Sequence, residues 1–301
     1  MNEQRMEQIV SLAKRRGFIW QGSEVYGGMR GTWDYGPLGL ALKRKIMNEW
    51  WDFFVENRED MFGVDAAIIM NPKVWQASGH AATFADPLVE DLETGERFRA
   101  DHLLKDNGIE AEGLSNEQIT EIIREKGLKS PKGNELSEVR SFNMMFQTNV
   151  GAVVDENSVA YLRPETAQGI FTNYKNVVDS FYPSLPFGSA QQGKAFRNEI
   201  SPRDFVFRSR EFEQMEIEYF VHPETWQENF EKLLADTLEF LTEKIGLSKE
   251  KIHLLEVPEE DRAHYSKRTV DLEFDFPIGK EELMGIAYRT DFDLSNIQRA
   301  S

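Results

Sequence analysis

Residues 193–220 read GKAFRNEISPRDFVFRSREFEQMEIEYF, the pattern of a strand, a loop and a second strand. In the first strand Arg197 and Glu199 stand two apart and so point to one face. In the second, Arg208, Phe212 and Glu216 recur every four residues, again on one face, with Gln214 between them. A sheet face that presents arginine, aromatic ring and carboxylate is costly to bury without ligands, because each charge loses hydration and needs a partner. Two readings stay open on these residues alone. One is ion pairing among themselves on a solvated hairpin. The other is a ligand face, with arginine forks on phosphate oxygens, a ring stacked on a base or a cation, and a carboxylate accepting an amine.

Outward from this stretch, helices and strands are grouped and do not alternate regularly. PETWQENFEKLLADTLEFLTEKIG (223–246) sets Trp226, Phe230, Leu234 and Leu241 on one helical face, with Pro223 suited to the first turn and Gly246 to the stop. Alternation in TVDLEFDF (269–276) predicts a half-buried strand, and LMGIAYR (283–289) another. On the N-terminal side, MNEQRMEQIVSLAKRRGF (1–18) is an amphipathic helix closed by Gly17, followed by the glycine-rich loop 19–39. Leu38 to Asn57 carries Leu42, Ile46, Trp50 and Phe53 or Phe54 at helical steps, and AAIIM (66–70) is a strand ending at Asn71-Pro72. Residues 86–140 are more polar and acidic and carry a helix in SNEQITEIIREKG (115–127), boxed by Ser115 and Gln118 and stopped by Gly127. They read as an inserted subdomain within a core formed by 1–85 and 141–301, which FNMMFQ (142–147) rejoins as a strand. The fold class expected is α+β with a mainly antiparallel sheet.

Composition narrows the function. With no cysteine there are no disulfides, thiolate nucleophiles or cysteine zinc sites, and the five histidines (80, 102, 222, 253, 264) lack ligand spacing. No apolar run approaches a membrane span and the N-terminus is not a signal-peptide core, so no membrane partner and a cytoplasmic location are expected. A formal charge of -17 argues against coating nucleic acid non-specifically. The five basic residues between Lys194 and Arg210, against Glu199 and Asp204, still allow a local phosphate site.

Phe196-Arg197-x-Glu199, a loop, then Arg208-xxx-Phe212-xxx-Glu216 resembles motif 2 of the class II aminoacyl-tRNA synthetases, and the helix, strand and Pro72 before it resemble motif 1. WDYGPLG (33–39), MNPKVWQASGH (70–80), RADHLL (99–104), YLRPETAQGIF (161–171) and GIAYRTDFDL (285–294) are similar to the dimeric type of glycyl-tRNA synthetase. The resemblance covers nearly the whole chain, in order. It implies a class II antiparallel sheet flanked by helices, with a small, mostly helical insertion.

It further implies a ligase that activates glycine with ATP and Mg2+ and transfers it to tRNA(Gly), as a homodimer. Arg197, Glu199 and Arg208 would be catalytic. ATP would be held by Arg197, Asn198, Glu199, the run Phe207, Arg208, Ser209, Arg210, Glu211 and Phe212, and by Glu282 and Leu283, with Glu282 a candidate magnesium ligand. Glycine would meet Arg99, Glu165, the run Phe212, Glu213, Gln214, Met215 and Glu216, and Arg289. Two departures qualify this. Nothing after Asp293 matches motif 3 or an anticodon-binding domain, so the chain is expected to be a fragment or a truncated form, the alternative being a non-catalytic paralogue that binds nucleic acid. Some relatives carry a cysteine zinc knuckle near the insertion. Here Ser130 and Asn134 occupy SPKGNELSEVR (130–140), and no zinc is expected.

Overall fold

The computed structural model describes every residue except 1, 112, 156, 157 and 264, and of residues 2 and 3 the backbone alone, so His264 lies outside the described residues. In chain order the elements begin α1 (Asn2–Arg15), β1 (Ile19–Gln21), β2 (Trp33–Tyr35), α2 (Pro37–Trp51), β3 (Met61–Gly63), β4 (Ile69–Met70), α3 (Pro72–Ala77), α4 (His80–Thr83), β5 (Ala85–Glu90) and β6 (Arg97–Arg99). They continue with α5 (Ala100–Asp106), α6 (Asn116–Glu125), β7 (Arg140–Asn143), β8 (Gln147–Asn149), β9 (Val159–Leu162), α7 (Ala167–Phe181), β10 (Phe187–Phe196) and β11 (Glu211–Phe220). The last are α8 (Trp226–Glu239), β12 (Ile252–Glu256), β13 (Arg268–Phe276), β14 (Gly279–Tyr288) and α9 (Phe292–Ala300). Pairing is antiparallel wherever a register is given, except between β10 and β3, which run parallel.

The chain divides into two compact units. The first takes in Met1–Ile68, Glu165–Ala195 and Glu213–Ser301, the second Ile69–Pro164 and Phe196–Phe212. The segment 86–140 lies within the second, together with residues 69–85, 141–164 and 196–212.

In the first unit the sheets β11-β10-β3 and β12-β13-β14 meet helices around Trp50, Phe54, Phe230, Phe240, Val270 and Leu272. Full burial of each such side chain contributes about 1.5–3 kcal/mol. The helix expected over 38–57 is α-helical only to Trp51 and continues as a π-turn at Asp52–Glu56. The extra residue per turn lets adjacent Phe53 and Phe54 both reach the core, with ring centroids 4.8 Å apart and Phe54 5.4 Å from Phe240. Helix α8 ends in the same way, in a π-turn at Phe240–Lys244. Pro223 falls before its first turn, because residues 222–225 close a separate turn through the Thr225 amide and the His222 carbonyl, 3.0 Å apart. Helix α7 packs so closely that a Cβ on Gly169 would stand 2.7 Å from Ala66 Cβ.

In the second unit β6-β5-β7 and β4-β9-β8 are separate sheets. The strand expected over 66–70 is reduced to Ile69–Met70, since the Asn71 side chain caps α3 by accepting the Lys73 amide at 3.0 Å, with Pro72 as its first residue. FNMMFQ is not one strand. The Asn143 side chain accepts the Met145 amide at 2.8 Å and breaks it between β7 and β8. Within 86–140, Val89, Ala100, Leu104, Ile119 and Ile123 form a core of their own, and α6 carries the expected capping box at Ser115 and Gln118. Among the described residues, no helix is long and apolar enough to cross a membrane.

Candidate functional site

The 193–220 stretch forms β10 and β11, but the strands are shorter at the loop end than their pattern predicts. Strand β10 stops at Phe196 and β11 starts at Glu211, so Arg197, Glu199 and Arg208 stand in the connection. The Arg197 amide still reaches the Arg210 carbonyl at 2.9 Å, after which the Glu199 amide turns back to the Arg197 carbonyl at 2.7 Å and strand alternation ends. The loop then folds on itself, with Arg208 N–H on the Arg203 carbonyl at 3.3 Å and Asp204 and Phe205 in the left-handed region at φ 58° and 59°. For Phe205 that conformation is strained.

These loop residues, all of the second unit, sort into framework and open groups. Arg210 is framework, donating Nε and Nη2 to the Glu199 carbonyl at 3.2 and 3.0 Å. Ser209 donates to the Val206 carbonyl at 2.9 Å, and the Asn198 amide to the Met144 carbonyl at 2.7 Å. Phe207 is exposed at the surface. Arg197 is held by Nε on the Pro164 carbonyl at 3.1 Å, its guanidinium 5.4 Å from the Phe212 ring centroid and 5.5 Å from that of Phe84. Glu199 is buried, and its Oε2 has no hydrogen-bond partner, the Arg208 guanidinium lying 3.9 Å away. An orphaned buried acceptor is costly unless a ligand donor meets it.

Arg99 is also in this unit, its Nε and Nη2 on Asp101 at 3.1 and 2.6 Å and its Nη1 2.8 Å from Asp86. The Asp86 oxygen makes an ion pair there without hydrogen-bond alignment, and burial pushes its carboxyl up against the pull of Arg99. Burial, and then the charge of Arg99, lowers His102 to about 4, so the imidazole is neutral near pH 7 beside the arginines.

The first unit holds a different chemistry. On β11 the odd residues Met215, Ile217 and Tyr219 pack into the core, while Gln214, Glu216 and Glu218 share the other face. Of the residues expected to meet glycine, Met215 and Glu213 alternate with these three along the strand. Met215 is core packing, and Glu213 pairs with Lys43 of α2. On the other face the Gln214 side chain accepts the Thr166 amide at 3.0 Å and the Thr166 hydroxyl donates to Glu216. Gln168 donates to Glu165 at 3.3 Å and to the buried Asp293 at 3.0 Å. Asp293 in turn takes Arg289 Nε and Nη2 at 2.8 and 2.9 Å, and the Arg289 guanidinium lies 3.8 Å from the Tyr265 ring centroid and 5.4 Å from that of Phe171. Burial first and Glu216 next push the Glu218 carboxyl well above the usual range, with Arg289 pulling it down and Asp293 and Glu165 adding to the rise.

Strands β13 and β14 bring two acidic side chains together at Gly285. A Cβ on Gly285 would stand 3.1 Å from Glu282 Oε1 and 3.3 Å from Asp271 Oδ1, so the two carboxylates converge over that glycine, and burial with Glu273 raises Asp271. Among the described residues no group of three acids or histidines could hold a metal by itself. Two carboxylates fit Mg2+, which keeps waters and takes its other ligands from phosphates. Leu283 packs against the core instead of lining a nucleotide face.

Glu218, Asp293, Gln168 and Tyr265 were not anticipated. Strand alternation from Gln214 and Glu216 points directly to Glu218. Asp293 and Gln168 stand four and three residues from Arg289 and Glu165, a helical spacing that could have found them, whereas Tyr265 has no local signal.

Comparison with known proteins completes the description. A sequence model of the tRNA synthetase class II core domain (G, H, P, S and T) matches residues 146–298. A glycine–tRNA ligase of Deinococcus radiodurans is 50% identical over 97% of this chain and 62% of its own length. Those of Macrococcus caseolyticus and Chlorobaculum tepidum are 48% and 46% identical over 100% and 98% of this chain, and 67% of their own length in both cases. The chain thus spans about two thirds of the length of these relatives. A solved prolyl-tRNA synthetase of Giardia lamblia, in complex with prolyl-adenylate, superposes with a TM-score of 0.64 over 99% of this chain and 47% of that one, at 13% identity, a likeness of fold alone.

Proposed function

We propose, from the premise that this chain belongs to the class II tRNA synthetases and among them to the glycine–tRNA ligases, that it carries the core which activates glycine with ATP. The observation that carries this reading is the gathering of four carboxylates, Glu165, Glu216, Glu218 and Asp293, with the cation Arg289. Four carboxylates drawn together, Asp293 buried and the other three half-buried, call for a cation, and the ammonium of an amino acid supplies it. Glycine has no side chain to grip, so its affinity rests on that ammonium and on a carboxylate for which Arg289 is the available cation.

In the second unit the terminal nitrogens of Arg197 take the α-phosphate, the Phe212 ring stacks on adenine and the orphaned Glu199 oxygen accepts its amino group. Arg208 adds positive charge beside them. The glycine carboxylate oxygen attacks the α-phosphorus, its new P–O bond forming as the bond to the departing pyrophosphate breaks. The mixed anhydride then passes its glycyl group to the terminal ribose hydroxyl of tRNA(Gly), releasing AMP. No side chain acts as nucleophile, and the protein contributes positioning and charge stabilisation. A magnesium ion held by Glu282, with Asp271 beside it, would neutralise phosphate charge.

We assign residues 86–140 as an inserted subdomain, on the support of their separate core. A second copy of the chain is the proposed partner at the exposed apolar run that includes Val25, Tyr26, Met29 and Leu42, and the cytoplasm is the proposed location. The test is glycine-dependent exchange of pyrophosphate into ATP. Arg197→Ala should lower it by about 10²–10³-fold. A folded protein that binds neither ATP nor glycine would sink the reading.

A further inference from the structure

The nucleotide role of Arg197 raises the question of what keeps its guanidinium in one orientation. A bidentate grip on phosphate needs both terminal nitrogens in one plane, and a long side chain at a loop edge sweeps many planes when unbound. Here only Nε is tied, to the Pro164 carbonyl at 3.1 Å. Among the described residues none accepts from either terminal nitrogen. Beyond that bond the guanidinium lies against two rings, Phe212 with its centroid at 5.4 Å and Phe84 at 5.5 Å, in cation–π contact with both.

Phe84 is itself fixed from several directions. Its amide bonds the His80 carbonyl at 3.2 Å, and its carbonyl accepts the Met144 amide at 3.0 Å. Met144 in turn accepts the Asn198 amide at 2.7 Å, which ties Phe84 through the backbone to the residue next to Arg197. The ring also meets His80 at 5.5 Å, and His80 meets the fully buried Trp75 at 5.6 Å while its Nδ1 lies 2.8 Å from the Ser78 hydroxyl. The series Trp75, His80, Phe84, Arg197 thus leads from a rigid interior ring to a cation whose terminal nitrogens are open.

We propose that Phe84 is a positioning residue for nucleotide activation, which holds the Arg197 guanidinium plane so that both terminal nitrogens reach one phosphate. This rests on the nucleotide reading given above and adds a residue to it. A platform for the base would support adenosine and ATP alike. A residue that acts only through Arg197 supports the phosphates alone.

The experiment is calorimetric titration of the folded chain with ATP and, separately, with adenosine. Phe84→Leu should weaken ATP about tenfold, the worth of one desolvated cation–π contact, and leave adenosine within about twofold. Phe84→Tyr, which keeps the π face, should restore ATP to within about threefold of the wild type. Phe212→Leu should weaken both ligands. If Phe84→Leu does not fold, Phe84→Met, of similar volume without a π face, carries the same expectation. Equal loss of adenosine and ATP in the Phe84 variant would make Phe84 a base platform and overturn the proposal, as would unchanged ATP affinity. A wild-type chain that binds no ATP would instead overturn the reading of the site itself.

Discussion

Glu218 shows what one buried carboxyl does to the whole chain. Its folded value is raised, by burial and then by Glu216, so between the ordinary value of 4.5 and the raised one the folded protein keeps a proton that the unfolded chain has released. Its contribution to stability is therefore complete below about pH 4.5 and lost as pH rises through the folded value. Glu218→Gln should raise the urea midpoint at pH 7.5 relative to the wild type, with the difference disappearing near pH 4. Curves that stay parallel from pH 4 to 8 would refute it. Asp60 gives the opposite sign. Arg58 holds it down at about 2, so Asp60→Asn should cost stability at pH 7 and nothing at pH 1.5, read in the same denaturation series.

At the scale of elements, strand β11 separates packing from chemistry by its pleat. Met215→Ala should cost about 2–5 kcal/mol of stability in denaturant melts and leave glycine affinity near the wild type once folded. A large loss of affinity in the folded variant would place Met215 back in the site. Ser115→Ala should remove about 1 kcal/mol from α6, seen as faster amide exchange in its first turn. That cap was legible in the sequence because its partners lie three residues apart. The break at Met144 was not, since the local bond from the Met145 amide to the Asn143 side chain is joined by bonds to Phe84 and Asn198, 60 and 54 residues away by number. The π-turns after Trp51 and Glu239 escaped for another reason. A stripe at steps of three and four predicts an unbroken helix, and only the meeting of Phe53 and Phe54 with Phe240 shows why one residue is added. For the site, Arg197, Glu199, Phe212 and Glu216 were legible as a motif, but their division between strand and loop was not.

At the scale of the whole molecule the two units have separate cores, one around Trp50 and one around Leu104. Trp50→Ala should cost about 3–5 kcal/mol and Leu104→Ala about 2–5 kcal/mol. Hydrogen exchange should show the first loss in amides of the first unit and the second within 86–140. Uniform loss throughout the chain in both variants would count against separate cores. The composition shift at residue 86 does not coincide with the boundary between the units, which falls between Ile68 and Ile69. The joining of 196–212 to 69–164 was invisible, because it depends on bonds such as Phe196 N–H to the Arg163 carbonyl, 2.9 Å, across a long stretch of chain.

The tip of the 86–140 segment closes on Asp91, which is fully buried and takes the Ser130 hydroxyl at 2.6 Å, the Asn134 amide group at 3.1 and 3.2 Å, and the backbone amides of Glu93 and Thr94. Burial alone would raise this carboxyl, but those hydrogen bonds outweigh it and hold it far below the usual range. A hairpin sewn together by one ionised oxygen pair and its donors responds to other reagents than a thiolate knuckle does. Chelators and peroxide should leave it closed. Acid, or Asp91→Asn, should loosen it, as the charge on which every one of those donors converges is lost.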